Sequence, residues 1–212
     1  MALALVPYAL TSLTRVKNRL SISGSTEDTL LTQLINEASA FAQSYCERNF
    51  LEQTYTNEVY SGGDGCISRL YLKQAPVSSL SAFQERQGTI SASTWSAVNA
   101  DWYELLDAGS TGMIQTLGYL NAGFNNYRVT YQAGYKIDFT NEGNLSLHTL
   151  PIDLTGAIEN MVAQIYYTRR SKGIKQESLG NHSVTFSDLL TDENGKMTQD
   201  ALTIRRYKRV QM

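Results

Sequence analysis

STEDTLLTQLINEASAFAQSYCER (residues 25–48) decides the first half of the fold. Ser25 and Thr26 offer a capping hydroxyl, and Glu27 and Asp28 put negative charge in the first turn of a helix. Leu30, Leu31, Leu34, Ile35, Ala38, Phe41, Ala42 and Tyr45 then recur at spacings of one, three and four. That period predicts a helix ending near Arg48 with a wide apolar stripe. A stripe so wide needs a partner. The only other segment of the same kind is LPIDLTGAIENMVAQIYYTRR (residues 150–170). There Pro151 suits a first helical turn. Leu154, Ala157, Ile158, Met161, Val162 and Ile165 form the second stripe, and Arg169, Arg170, Lys172 and Gly173 suit a helix end.

The segment before the first stripe, TSLTRVKNRL (11–20), reads as a short helix. Thr11 or Ser12 is its cap, and Leu13, Val16 and Leu20 share a face. Between the stripes the period falls to two. Tyr55, Asn57 and Val59 alternate, Gly62-Gly63-Asp64-Gly65 signals a turn, and Leu70 and Leu72 mark a half-buried strand. Pro76 interrupts the chain, Val77 to Gln84 resume it, and Gln87-Gly88 suggests a hairpin turn. Further strands are predicted at Trp102–Leu106, Gly112–Leu117 and Tyr127–Tyr131. After a polar loop at 136–150 and the second stripe, residues 174–187 read as a hairpin turning at Gly180-Asn181. Asp192 to Gly195 is a polar loop. Thr198 caps a last helix, QDALTIRRYKRV, in which Ala201, Leu202, Arg205 and Tyr207 are the candidates to pack or bind. The expected fold is α+β. A small helical bundle core, of two N-terminal helices, a third and a C-terminal one, spans 1–51 and 148–212. An antiparallel β-rich insertion occupies 52–147.

Composition narrows the function. Hydrophobic residues make up 42% of the 212, enough for a core, while charged residues are only 18%. Thirteen tyrosines among abundant Ser and Thr suit β-structure and protein contact. The formal net charge is −2, but it is unevenly spread. Residues 1–168 hold nine Lys/Arg against fifteen Asp/Glu, whereas 169–212 hold nine against five. A basic tail therefore follows an acidic body, and no overall field draws the chain to nucleic acid. Cys46 and Cys66 give neither a disulfide framework nor zinc spacing and read as free thiols. Met1 to Tyr8 lacks a basic region and meets Pro7 early, unlike a signal peptide. No apolar run approaches a membrane span, so no membrane partner is expected.

No reaction chemistry emerges. His148 and His182 lie apart in polar loops and read as solvated. Neither cysteine has the surroundings of a nucleophile. Gly62 to Gly65 has no following Lys-Ser/Thr, so it is a turn and not a phosphate cradle. Asp188, Asp192, Glu193 and Asn194 miss the calcium-loop spacing. No catalytic residue, metal or cofactor is expected. A carbohydrate-binding or hydrolytic β-domain would require a cleft built on Trp95, Trp102, Glu104 and Asp107; burial of both tryptophans is expected instead. The basic runs admit two readings, a solvated or helix-capping role and a docking role, since Arg and Tyr carry binding hot spots.

Taken in order, several stretches resemble the head–tail connector (adaptor, head-completion) proteins of tailed bacteriophages, of the HK97 kind. The opening LTSLTRVKNRLSISGSTEDTLLTQLINEASAFAQSYCERNF resembles the family's first two helices, through Leu13, Val16 and Leu20, then Asp28, Leu30 and Leu31, then Tyr45, Arg48 and Phe50. LYLKQAPVSSLSAF resembles its strand–Pro–strand, and YRVTYQAGY the strand before the third helix. LPIDLTGAIENMVAQIYYTRRSKGIKQESLGNHSVTF resembles that helix and its hairpin, and IRRYKRV the closing basic helix. The long β-block at 84–126 and the inserts at 136–149 and 188–197 depart from the shortest members. The resemblance implies a structural virion protein of the neck, built into a ring of commonly twelve copies beneath the portal. It implies a portal protein and a stopper or tail-completion protein as partners, with DNA passing through the lumen without sequence-specific binding. By position it makes Arg205, Arg206, Tyr207, Lys208 and Arg209 portal-docking candidates in a tail that orders on docking. Ile174, Lys175, Glu177, Asn181, His182 and Phe186 become candidates for contact with a neighbouring subunit or the channel. A tail-terminator or collar protein is the alternative within the virion.

Overall fold

The structure is a computed structural model. It describes residues 3–89, 92–169, 176–179, 182–185 and 196–209. The elements are α1 (Leu13–Leu20), α2 (Asp28–Cys46), β1 (Gln53–Tyr60), β2 (Arg69–Tyr71), β3 (Val77–Thr89), β4 (Ala92–Ala97), β5 (Tyr103–Leu105), β6 (Met113–Thr116), β7 (Tyr127–Ala133), α3 (Ile152–Thr168), β8 (Gln176–Leu179), β9 (His182–Thr185) and α4 (Gln199–Arg206). Helices and antiparallel sheets together make the fold α+β. The chain forms two compact units: Met1–Phe50 with Lys136–Met212, and Leu51–Tyr135. The polar stretch from 136, read from sequence with the β-block, thus falls in the helical unit. No described helix is long and apolar enough to cross a membrane.

In the helical unit, α3 packs on α1, α2 and α4. The two stripes supply its core: Leu31, Ile35 and Ala42 from α2, and Leu154, Ile158 and Val162 from α3, all at most 1% exposed. Ser12 caps α1 by accepting from the Arg15 amide at 3.3 Å. The expected hydroxyl cap of α2 does not form. Its cap position is Glu27, with no side-chain hydrogen bond. Asp28, in the first turn, is held by a 2.7 Å ion pair with Lys17. The helix stops at Cys46, two residues before Arg48, because Glu47 turns left-handed (φ 55°), its amide donating to the Ser44 carbonyl and the Arg48 amide to that of Gln43.

The β unit holds a four-stranded antiparallel sheet, β1-β7-β3-β4, and a three-stranded one, β2-β6-β5. One core serves both, built on Tyr60, Leu70, Phe83, Ile114, Tyr127, Val129 and Tyr131. Three strand expectations need correction. The alternation of Tyr55, Asn57 and Val59 is broken by a bulge. Tyr55 pairs with Tyr131, but Glu58 pairs with Val129, so one extra residue is accommodated at left-handed Asn57 (φ 53°). Inward positions then shift to Glu58 and Tyr60, and Val59 faces out. Gln87-Gly88 is not the hairpin turn: β3 runs through it, with Gly88 paired to Ser93 and Thr89 to Ala92. Its partner β4 is a strand whose Ser/Thr/Ala composition gives no apolar alternation. Finally, residues 100–102 form a turn of 3-10 helix, so the strand expected from Trp102 starts at Tyr103.

Candidate docking surfaces

The basic C-terminal segment is built into the helical unit as far as it is described. Thr198 caps α4 by accepting from the Ala201 amide at 3.2 Å. Ala201 and Ile204 are fully buried, and Thr203 is buried beside them. Leu202, a candidate to pack or bind, is 40% exposed. An eight-residue helix can bury only one face, and the 201–204 pair sets it. Tyr207 turns inward: its hydroxyl donates to Asp153 Oδ1 at 2.6 Å, and its ring meets Phe50 edge-on at 6.3 Å. Lys208 pairs with Glu47 at 3.2 Å, and the Arg209 amide donates to the Cys46 carbonyl at 2.9 Å. Tyr207, Lys208 and Arg209 are therefore engaged with their own subunit, and Arg205 Nη1 donates to Met197 Sδ at 3.7 Å. Arg205 and Arg206 remain exposed on α4.

The second set of candidates belongs to the hairpin β8–β9. Its backbone pairs Gln176 with Thr185 and Leu179 with His182; the turn expected at Gly180-Asn181 lies outside the described residues. Glu177 and His182 lie on these strands. Ile174, Lys175, Asn181 and Phe186 lie outside the described residues, as do Arg170, Lys172 and the 188–195 acidic cluster.

His148 departs from its expected solvated state. It is 8% exposed, its Nδ1 accepts from the Asp138 amide at 3.0 Å, and its ring packs on Phe139. It lines a recess of about 330 Å³ with Arg15, Phe139 and Glu142. The two hydroxyls beside it are bonded to backbone, Thr149 Oγ1 accepting from the Lys136 amide and Thr155 Oγ1 donating to the Pro151 carbonyl. The polar 136–149 stretch thus has an internal anchor, because a loop of that length must pair its own backbone groups.

A buried ionic cluster was not legible in sequence. Glu159 is 3% exposed in the middle of α3. Its carboxylate accepts from Arg15 Nε at 2.5 Å, Arg19 Nε at 2.9 Å and Thr11 Oγ1 at 3.1 Å. Arg15 also reaches Glu142 at 2.6 Å, tying the loop to α1. These contacts raise the Arg15 pKa further against the opposing effect of burial. The available signal was an acidic residue inside an apolar stripe, opposite arginines spaced four apart.

In the β unit the polar core group is Glu58. Its Oε2 accepts from the hydroxyls of Tyr60 at 2.5 Å and Tyr131 at 2.6 Å. Burial and the adjacent carboxylate push both phenols well above their ordinary range. Burial likewise pushes Tyr127 up to about 12. Phenols held protonated are structural donors, not bases. Cys46 is buried and pushed up to about 11 by desolvation, which disfavours its nucleophilic thiolate; Cys66 is exposed. Among the described residues no group of three His, Cys, Asp or Glu could hold a metal.

Both tryptophans, expected to be buried, are only partly so. Trp102 lines a recess of about 240 Å³ with Asp101 and Glu104. Trp95 lies elsewhere, on the outer face of the four-stranded sheet, under the guanidiniums of Arg86 and Arg128. The two aromatic rings and the nearby carboxylates do not form one cleft.

What the molecule offers is surfaces: an exposed arginine pair on α4 and a hairpin, with each unit braced by its own polar cluster. The model of the head completion protein family matches residues 9–204. The chain belongs to the head completion protein family. Two solved structures resemble this head completion protein along its whole length. A chain of "Neck of empty GTA particle computed with C6 symmetry" has 16% identity and a TM-score of 0.51, covering 100% of this chain and 96% of that one. A chain of "Virion of native gene transfer agent (GTA) particle" has 17% identity and a TM-score of 0.49, with the same coverage. At such identities the likeness concerns the fold. No curated protein matches the sequence.

Proposed function

We propose that this head completion protein is a structural, non-enzymatic component of the virion neck. It forms a ring beneath the portal, extends the DNA channel and joins the filled head to the tail. The observation that carries the reading is the family match across residues 9–204. The structural neighbour from a neck particle supports it through the shared fold. Twelve copies is the expected ring size, and the partners are a portal protein above and a stopper or tail-completion protein below.

The physical chemistry agrees with a conduit. Each phosphate contact adds salt-dependent affinity and slows passage, so a channel protein of net charge −2 is better suited than a basic one. For portal docking, Arg205 and Arg206 are exposed and, among the described residues, have no carboxylate within ion-pair distance, whereas the exposed Lys208 is paired with Glu47, and we assign the two arginines the contact. Tyr207, Lys208 and Arg209 hold the segment in place. The β8–β9 hairpin is assigned to contact with a neighbouring subunit or the channel.

The decisive experiment adds the purified protein to DNA-filled, portal-bearing capsids that lack it and images the portal vertex by electron microscopy. A ring of new density beneath the portal supports the reading and counts the copies. Density on isolated tails alone refutes it in favour of a tail-terminator. Portal docking is tested with Arg205→Glu/Arg206→Glu, because truncating at Asp200 would strip Ala201 and Ile204 from the core. Undiminished binding of this variant to portal refutes the assignment.

A further inference from the structure

On the outer face of the four-stranded sheet, Trp95 lies under two arginines. The Arg86 guanidinium is 5.0 Å from the ring centroid and that of Arg128 is 4.5 Å. Arg86 is the direct cross-strand partner of Trp95. Arg128, on β7, is held by a 2.6 Å bond from its Nε to Gln84 Oε1. Among the described residues neither guanidinium has a carboxylate within ion-pair distance. Two arginines pinned over an indole have already lost much of their rotamer freedom, so a partner meets them preorganised. Trp and Arg are also the residues that dominate interface energetics. The complementary group is a carboxylate, which a guanidinium binds in a fork.

The charge around this face selects the occupant. Residues 51–135 carry four Lys/Arg and seven Asp/Glu, a net of −3. That field repels a polyanion, and two phosphate contacts yield little affinity at physiological salt. A second copy of the chain, in contrast, offers what the face lacks. Asp101 and Glu104 are exposed and, among the described residues, have no cation within ion-pair distance. They rim the recess floored by Trp102. These carboxylates belong to the 3-10 turn and β5, on the three-stranded sheet, while the arginines belong to the four-stranded one. Two complementary patches left unpaired within one copy can be paired between copies. Such a contact is heterologous, and it propagates head-to-tail until a rotation closes it into a ring.

We propose that the Arg86–Trp95–Arg128 face of one copy docks on the Asp101–Glu104 rim of the next. The inference rests on the ring reading and names its subunit contact. Charge reversal of either patch in the full-length protein then weakens self-association by about tenfold or more. Reversing both patches in one chain restores it, because the signs again match.

The test is sedimentation equilibrium at low and high salt of the wild type, Arg86→Glu/Arg128→Glu, Asp101→Lys/Glu104→Lys and the combined variant. Each is first checked for an unchanged unfolding midpoint. Loss in both doubles with recovery in the combination supports the contact. Three results overturn it: a wild type that stays monomeric at millimolar concentration and low salt, a double reversal without effect, or a combination as weak as its parents. Complementation of particles lacking the protein separates the two levels. Failure of the wild type to restore joined heads and tails refutes the neck reading, whereas restoration by the wild type and both doubles alike refutes only the contact.

Discussion

Replacing Glu159 with Ala removes the acceptor around which α1 and α3 are fastened. Three donors lose their partner: Arg15 Nε at 2.5 Å, Arg19 Nε at 2.9 Å and the Thr11 hydroxyl at 3.1 Å. Hydrogen bonds to a charged group contribute about 1.5–3 kcal/mol each, and breaking a buried ion pair costs about 3–5 kcal/mol. The full sum does not apply here. The Arg15 and Arg19 side chains are 27% and 38% exposed, so both recover water, and Arg15 keeps Glu142 at 2.6 Å. Thr11, wholly buried, recovers nothing. The expected loss is therefore near the lower bound, about 3 kcal/mol, or about 6–12 °C in the melting midpoint of the helical unit. Thermal unfolding followed by helical circular dichroism measures it. Glu159→Gln keeps an acceptor for Thr11 and one arginine, and it falls between the two. A midpoint for Glu159→Ala within about 2 °C of wild type would refute the claim that this cluster, and not the apolar stripe alone, fastens the helices.

Other consequences are as direct. Thiol labelling of the native protein modifies Cys66 and spares Cys46, which reacts only on unfolding; equal rates would contradict the burial of Cys46. Folding raises the Cys46 thiol from its ordinary 9.0 to about 11, so the native state holds a proton that the unfolded chain releases. That contribution is full below pH 9 and lost as pH rises to 11, on the order of 2–3 kcal/mol. Cys46→Ala should flatten the alkaline limb of the stability profile by that amount. His148→Phe keeps the stack on Phe139 but removes the acceptor for the Asp138 amide. Faster hydrogen exchange at Asp138 and a loss of about 1 kcal/mol are expected, and unchanged exchange would show that the bond does not anchor the loop. Gly109→Ala is severe, because φ is +82° and a Cβ would stand 2.0 Å from the Val77 carbonyl oxygen. A cost below about 1 kcal/mol in urea unfolding would contradict that close approach.

The helical core was legible because its signal is periodic. Leu31 to Cys46 and Leu154 to Val162 each repeat on one face, and helices with two such stripes have few ways to hide them except against each other. Tyr127, Val129 and Tyr131 were legible for the same reason at period two. What failed was local irregularity. The bulge at Asn57 shifts which residues face inward, and no residue before it announces the shift. β4 has too little apolar alternation to read as a strand, so the hairpin turn was expected at Gln87-Gly88, where β3 still runs, and the Arg86–Trp95 pairing could not be seen. The candidate sites suffered most. The four basic residues around Tyr207 look alike in sequence, but Arg205, Arg206 and Lys208 are exposed while Tyr207 and Arg209 are partly buried, because the burial of Ala201 and Ile204 fixes the rotation of α4.

By itself, then, the sequence determined the fold class, the two buried stripes, the absence of catalytic spacing and the family resemblance. Each is a property of residue order along one segment. Only the tertiary structure decided that Glu159 is shared by two arginines and a threonine, that His148 is buried, that Tyr207 turns inward on Asp153, and that two arginines meet over Trp95. These are pairings between residues apart in sequence, from nine positions for Arg86 and Trp95 to 148 for Thr11 and Glu159. The energy of such a pairing depends on distance, burial and the partner's charge, and none of these quantities exists until the chain has folded.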